Sequence, residues 1–195
     1  MTRTVTVALA QMDVTPAPTD ERLARAGRLV EGAAAEGAQL VLLPEVFNTG
    51  YAYHPDNHRR AERPDGPTVT WLRDTAARLG VHLGGTLLLL DHDEIYNAFL
   101  LAAPGGQLWR YDKRYPWGWE RAYFRGGHRI TVADTRLGRF GMLICWDVAH
   151  RDLWWRYAGQ VDAMLISASP PNMGDPVYHL ADGTTLTAAQ MGPLF

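Results

Sequence analysis

The chain has 195 residues, of which 47% are apolar and 21% charged, with a net charge of −2. That length and balance suit one globular domain with a full core and exclude a disordered or fibrous chain. The near-neutral charge leaves no basic stripe for nucleic acid, "HRR" at 58–60 being too short to track a phosphate backbone. No run reaches the ~18 apolar residues that a membrane span needs, so neither nucleic acid nor membrane is expected as a partner. Cys145 is the single cysteine, so an internal disulfide is ruled out, which fits a cytoplasmic protein.

In chain order, "TVTVALAQ" (4–11) alternates like a strand, and its apolar stretch is too short for a signal segment. "TDERLARAGRLVEGAAAEGA" (19–38) predicts a helix capped by Thr19 or Asp20, with Leu23, Ala26, Leu29, Val30 and Ala33 on its apolar face and Gly37 at its end. "AQLVLLPE" (38–45) is the continuous apolar run of a strand buried on both faces. "DGPTVTWLRDTAARLG" (65–80) predicts a second helix, with Pro near its start and Gly at its end. "VHLGGTLLLLD" (81–91) reads as a strand, and 94–113 as two strands around a Gly-Gly turn. Beyond a Trp-rich loop come strands at 129–135 and 138–147, a helix at 151–159 and a strand at 161–169. Strands alternating with helices predict a layered α/β fold. No internal repeat or linker divides the chain, so residues 1–195 read as one domain.

Two buried strands end in a reactive residue, Glu45 in the first half and Cys145 in the second. Strand ends are where such sheets bind ligands. Free cysteines are usually buried and inert. Cys145, however, sits at a strand-to-helix turn, where a helix dipole favours thiolate. Glu45 reads either as a surface acid at a loop start or as a paired acid in a cavity, with Pro44 ending the ladder before it. Lys113 reads as an ordinary solvated lysine or as part of a site. The rings around it, Tyr115, Trp117, Trp119, Tyr123 and Phe124, suggest a pocket wall or a partner surface. Together a thiol, a carboxylate and an ammonium supply a nucleophile, a base and an oxyanion partner.

Other constellations are weaker. His54 and His58 in "HPDNH" have a metal-compatible spacing, but Pro55 and Asn57 indicate a loop, and no second cluster completes a site. Cys145 and His150 as a dyad would have to meet across the turn at a five-residue separation. "LGGT" (83–86) and "PGGQ" (104–107) lack the spacing of a phosphate loop and read as strand kinks and a turn.

"LLPEVFNTGY", "YDKRYPWGWERAYFRGG" and "GMLICWDVAHRDLWW", in this order, resemble the nitrilase superfamily of carbon–nitrogen hydrolases. The resemblance implies a four-layer αββα sandwich and hydrolysis of a non-peptide carbon–nitrogen bond in an amide, nitrile or N-carbamoyl compound, with no cofactor or metal. It makes Cys145 the nucleophile, Glu45 the base and Lys113 the stabiliser of the tetrahedral intermediate. Glu120 falls at a second, positioning glutamate, and the Trp146 backbone N–H is the other oxyanion donor. Homo-oligomers are common in the family. Acyl transfer to an amine, or a silent binding or assembly subunit, are the alternatives the same residues leave.

Two positions depart from the pattern. Ala149 stands where many family amidases carry an arginine, and "CWD" replaces the "CWE" of nitrilases proper, which favours an amide substrate. Six of the seven tryptophans lie between Trp109 and Trp155, which suits an apolar acyl group or a core. "LTAAQMGPLF" (186–195) reads as a helix start with Thr187 as a cap and nothing to finish it. The family chain continues with a further helix and strands, so the C-terminal part of the domain is expected to be missing.

Overall fold

A computed structural model describes residues 4–13, 15, 17–50, 56–169, 177–179 and 182–187. Its elements are β1 (Val7–Leu9), α1 (Thr19–Ala35), β2 (Leu40–Leu42), a single turn α2 (Asn57–Arg60), α3 (Pro67–Leu79), β3 (His82–Asp91), β4 (Glu94–Ala102), β5 (Leu108–Asp112), β6 (Val132–Thr135), β7 (Gly138–Ile144), α4 (Arg151–Tyr157), β8 (Ala163–Ser167), β9 (Val177–His179) and β10 (Thr185–Thr187). Tight 3₁₀ turns cover Gly118–Ala122 and Cys145–Ala149.

One sheet runs β1-β2-β3-β4-β5, parallel across its first three strands and antiparallel thereafter. A second runs β6-β7-β8, with β7 and β8 parallel. The pleat sorts side chains into two cores. Val41, Leu43, Leu83, Leu87, Ala98 and Leu100 face outward, onto Ala26 and Val30 of α1 and Val69, Leu72 and Ala76 of α3. Leu40, Leu42, Phe99, Leu101 and Tyr111 face inward, against Phe140, Met142 and Ile144 of β7. Leu153 and Tyr157 of α4 join this second cluster, and a Cβ built on Gly141 would meet Tyr157. Helices, sheet, sheet and helix therefore follow one another as four layers. The mixed α/β sandwich expected from the sequence is present.

The ends differ from the expectation in instructive ways. Neither Thr19 nor Asp20 caps α1; Pro18 precedes it with no side-chain cap, and Asp20 sits in the first turn. Leu29, expected inside, is 40% exposed. Arg22 is buried instead, because Nε donates to Phe47 O at 2.7 Å and Nη1 to Thr15 O at 2.8 Å. Gly37 and Gly80 adopt φ of 87° and 69° beyond their helices, as their glycines predict. The two glycines of "LGGT" do not kink β3, which keeps its register with β4 through both. They allow close approach: a Cβ on Gly84 would lie 2.9 Å from Phe99, and one on Gly85 2.8 Å from Leu43. Asn57 opens the turn α2 rather than a loop. His54 and the His58 side chain lie outside the described residues. The hairpin β9-β10 was not foreshadowed by any alternation, and it makes Leu186 and Thr187 strand residues. The rest of the expected C-terminal helix lies outside the described residues.

Candidate active site

Three elements from both sheets converge at one end of the sandwich. Glu45 follows β2, Lys113 follows β5 and Cys145 follows β7. Glu45 and Lys113 are 2% and 1% exposed, so neither is a surface charge. Such burial requires pairing. Lys113 Nζ donates to Glu45 Oε1 at 2.8 Å and to both oxygens of Glu120, at 2.9 and 2.8 Å. Glu120 is buried in its 3₁₀ turn and also accepts from the Trp117 backbone N–H at 2.6 Å. Asn97 Nδ2 donates to Glu45 Oε1 at 2.8 Å, and the Ser169 N–H to Oε2 at 3.1 Å. The Cys145 thiol feels the charges of Glu45, Lys113 and Glu120, which places it beside this cluster.

Backbone strain marks two of these positions. Cys145 has φ 44°, and Val46, next to Glu45, has φ 50°. A left-handed backbone is costly for a β-branched residue. Val46 is held there by its N–H bond to Thr86 Oγ1 at 2.7 Å. Cys145 is held by Asp147, whose carboxylate accepts from Ile144 N–H at 3.2 Å, Tyr115 N–H at 2.8 Å and Tyr111 O–H at 2.8 Å. This one acid links the cysteine turn to the segment carrying Lys113. It is fully buried with its oxygens taken up by these three donors, so the aspartate of "CWD" serves the geometry of the turn.

The electrostatics follow from burial and from one cation among two carboxylates. Burial pushes the Glu45 carboxyl above its ordinary range, and Lys113 partly opposes this. Burial lowers the affinity of Lys113 for its proton, but Glu45 and Glu120 more than offset it, so the ammonium is held above its usual value. Burial and the Glu45 charge push the Cys145 thiol up to about 11. The expectation of a resting thiolate is therefore corrected. Desolvation and a neighbouring carboxylate outweigh a 3₁₀ turn of five residues. The site holds a thiol beside a carboxylate.

Trp146, second in that turn, has its N–H among the first donors, which lack an intrahelical acceptor. Its side chain is 40% exposed. His150 does not join Cys145: its ring stacks on Tyr115 at 3.7 Å, and its Nδ1 lies 3.0 Å from Trp146 O. Of the ring-rich loop, Phe124 belongs to the core beside Val46, Leu88 and Ile95, whereas Trp117 is 41% exposed. The Trp119 side chain is outside the described residues. Asn97, Asp147 and Ser169 were not singled out as site residues from the sequence. Asn97 leaves a trace there, an amide inside the apolar strand "EIYNAFLLA".

Residues 6–185 match the family model "Carbon-nitrogen hydrolase". The chain is 33% identical over 147 residues to the nitrilase of Pyrococcus abyssi, covering 73% of this chain and 56% of that one. It is 31% identical over 180 residues to omega-amidase NIT2-A of Xenopus laevis, covering 86% and 64%. It thus spans 56% and 64% of the length of these relatives. Nit3 of Saccharomyces cerevisiae, a member of branch 10 of the nitrilase superfamily, superposes with a TM-score of 0.79 at 28% identity, over 86% of this chain and 65% of that one. XC1258 of Xanthomonas campestris, a CN-hydrolase superfamily protein with an arsenic adduct in its active site, gives 0.76 at 29% identity, over 85% and 65%. With the fold, the ordered motifs and the family model in agreement, the chain belongs to the carbon–nitrogen hydrolases of the nitrilase superfamily.

Proposed function

We propose that residues 1–195 read as one carbon–nitrogen hydrolase domain that cleaves small amides through a thioester on Cys145. The observation that carries this is the convergence of Cys145, Glu45 and Lys113 in one buried cluster drawn from both sheets. Glu45 accepts the thiol proton as sulfur attacks the amide carbon. The negative charge on Glu45 is thereby exchanged for one on the carbonyl oxygen. Lys113 borders Glu45, so the cation is already in place and no net charge is created in a buried site. The Trp146 N–H is the second oxyanion donor. Glu120 fixes the ammonium. Glu45 returns its proton to the leaving nitrogen, and ammonia or an amine departs. Water then attacks the thioester, giving up its proton to Glu45, and releases the acid and the thiol.

The relative named omega-amidase supports an amide-type substrate, and the one named nitrilase keeps a nitrile as the alternative. The half-exposed rings of Trp117 and Trp146, beside Glu120 and Cys145, support an apolar acyl group. A working free thiol suits a reducing cytoplasm. Exposed Trp154, Trp155 and Ile166 support a homo-oligomer. The test is a panel of primary amides, N-carbamoyl amines and nitriles, assayed for ammonia with wild type and Cys145→Ala. Amide-dependent release that Cys145→Ala abolishes is expected. Release that survives in Cys145→Ala overturns the assignment.

A further inference from the structure

We propose that Asn97 is a positioning residue: its side chain fixes the Glu45 carboxylate and reserves that carboxylate's remaining lone pair for the Cys145 thiol. The inference rests on Glu45 being the base. Asn97 is fully buried on the face of β4 that also carries Phe99 and Leu101 into the core between the sheets. A hydrocarbon is expected there, and an amide is costly unless its bonds are made. Its Nδ2 bonds Glu45 Oε1 at 2.8 Å. Its Oδ1 has no hydrogen-bond partner among the described residues. The amide is therefore retained for its donor end. The same residue's backbone carbonyl accepts the Lys113 N–H at 2.9 Å, so Asn97 holds the base by its side chain and the cation by its main chain.

Counting lone pairs shows what this accomplishes. A carboxylate offers about four acceptor sites, two per oxygen. Lys113 Nζ and Asn97 Nδ2 fill both on Oε1, and the Ser169 N–H fills one on Oε2. Among the described residues, one site on Oε2 is left to take a proton. Without Asn97, Oε1 regains a free site, the carboxylate can rotate about its own axis, and its ionised form loses a donor. The charged and titratable groups facing Glu45 are Lys113 at the end of β5, Glu120 in its 3₁₀ turn and Cys145 after β7. None is altered by changing Asn97.

The test uses alkylation of Cys145 by iodoacetamide, which needs no substrate. Sulfur displaces iodide from the methylene carbon, and ionised Glu45 receives the thiol proton. The rate therefore falls on the acid side as Glu45 becomes protonated. In the near-isosteric Asn97→Leu, loss of one donor to the charged form moves this acid limb up by about one pH unit. Asn97→Asp, which keeps the shape if the leucine variant does not fold, sets a like charge against Oε1 and moves it further up. Glu45→Gln removes the limb. A limb absent in Glu45→Gln but unmoved in folded Asn97 variants overturns the role of Asn97 alone. A limb that persists in Glu45→Gln overturns the base assignment and this inference with it.

Discussion

The proposed proton transfer from Cys145 to Glu45 is the step on which each residue-level expectation turns. Cys145→Ala is expected to abolish hydrolysis while leaving the melting temperature close to wild type, because it deletes only a half-buried thiol. Lys113→Ala removes the proposed oxyanion partner, and a barrier raised by on the order of 3 kcal/mol is expected, a fall of 100-fold or more in kcat. Glu45→Gln should stop both acylation and deacylation. It also has a spectroscopic sign. The wild-type thiol is held up to about 11 partly by the Glu45 charge, so thiolate absorbance should rise at lower pH in Glu45→Gln than in wild type. Reactivity near neutral pH should nevertheless fall, since the base is gone. A thiolate midpoint that does not move would show that Glu45 does not act on Cys145. The sequence exposes these three residues because a thiol, a carboxylate and an ammonium stand at the ends of apolar strands. It conceals Asn97, Asp147 and Ser169. Their roles depend on which backbone and side-chain groups face them across the sandwich, and neighbours far apart in sequence supply those.

At the scale of elements, the site is a set of strand ends held in register by glycines and one buried acid. Gly85 lies in β3 under the segment that carries Glu45, where an added Cβ would press on Leu43 and Phe47. Gly85→Ala is expected to cost about 1–3 kcal/mol in denaturant unfolding. It should also lower kcat by moving Glu45, and an unchanged pair of values would count against this packing. Asp147→Ala strands three donors, the Ile144 and Tyr115 N–H groups and the Tyr111 O–H. Each buried orphan costs about 1–3 kcal/mol, so a sharply lowered unfolding midpoint and slowed alkylation of Cys145 are expected together. Periodicity located β2 through β8 well, since their apolar runs are long or bounded by glycine and proline. On α1 it placed Leu23, Ala26, Val30 and Ala33 at the core but missed Arg22, drawn inward by two carbonyls that belong to other segments, and put Leu29 inside. It missed β9 and β10, which are three residues each and, among the described residues, pair only with one another.

Across the whole molecule, one end of the sandwich holds a closed polar cluster, while apolar side chains on α4 and β8 remain uncovered. Trp155 is 66% exposed and Ile166 39%, and among the described residues β8 is an edge of its sheet. Open edges and apolar faces favour association, so the 195-residue chain is expected to self-associate in a concentration-dependent manner by light scattering. Trp155→Glu should weaken this without touching the catalytic cluster. A wild-type chain that remains monomeric across the concentration range would contradict it. The architecture as a whole was legible because helix and strand signals alternate. How the two sheets face each other was not, since that depends on pairings between distant segments. The central claim is that this cluster makes an acyl-enzyme on Cys145. It is tested most directly by mixing the protein with an amide that it turns over, quenching in acid and measuring the intact mass. The account predicts an increase equal to the amide less ammonia, mapped to Cys145 and absent from Cys145→Ala. Ammonia released at the same rate with no adduct on Cys145 in the quenched protein, and with Cys145→Ala still active, would contradict it.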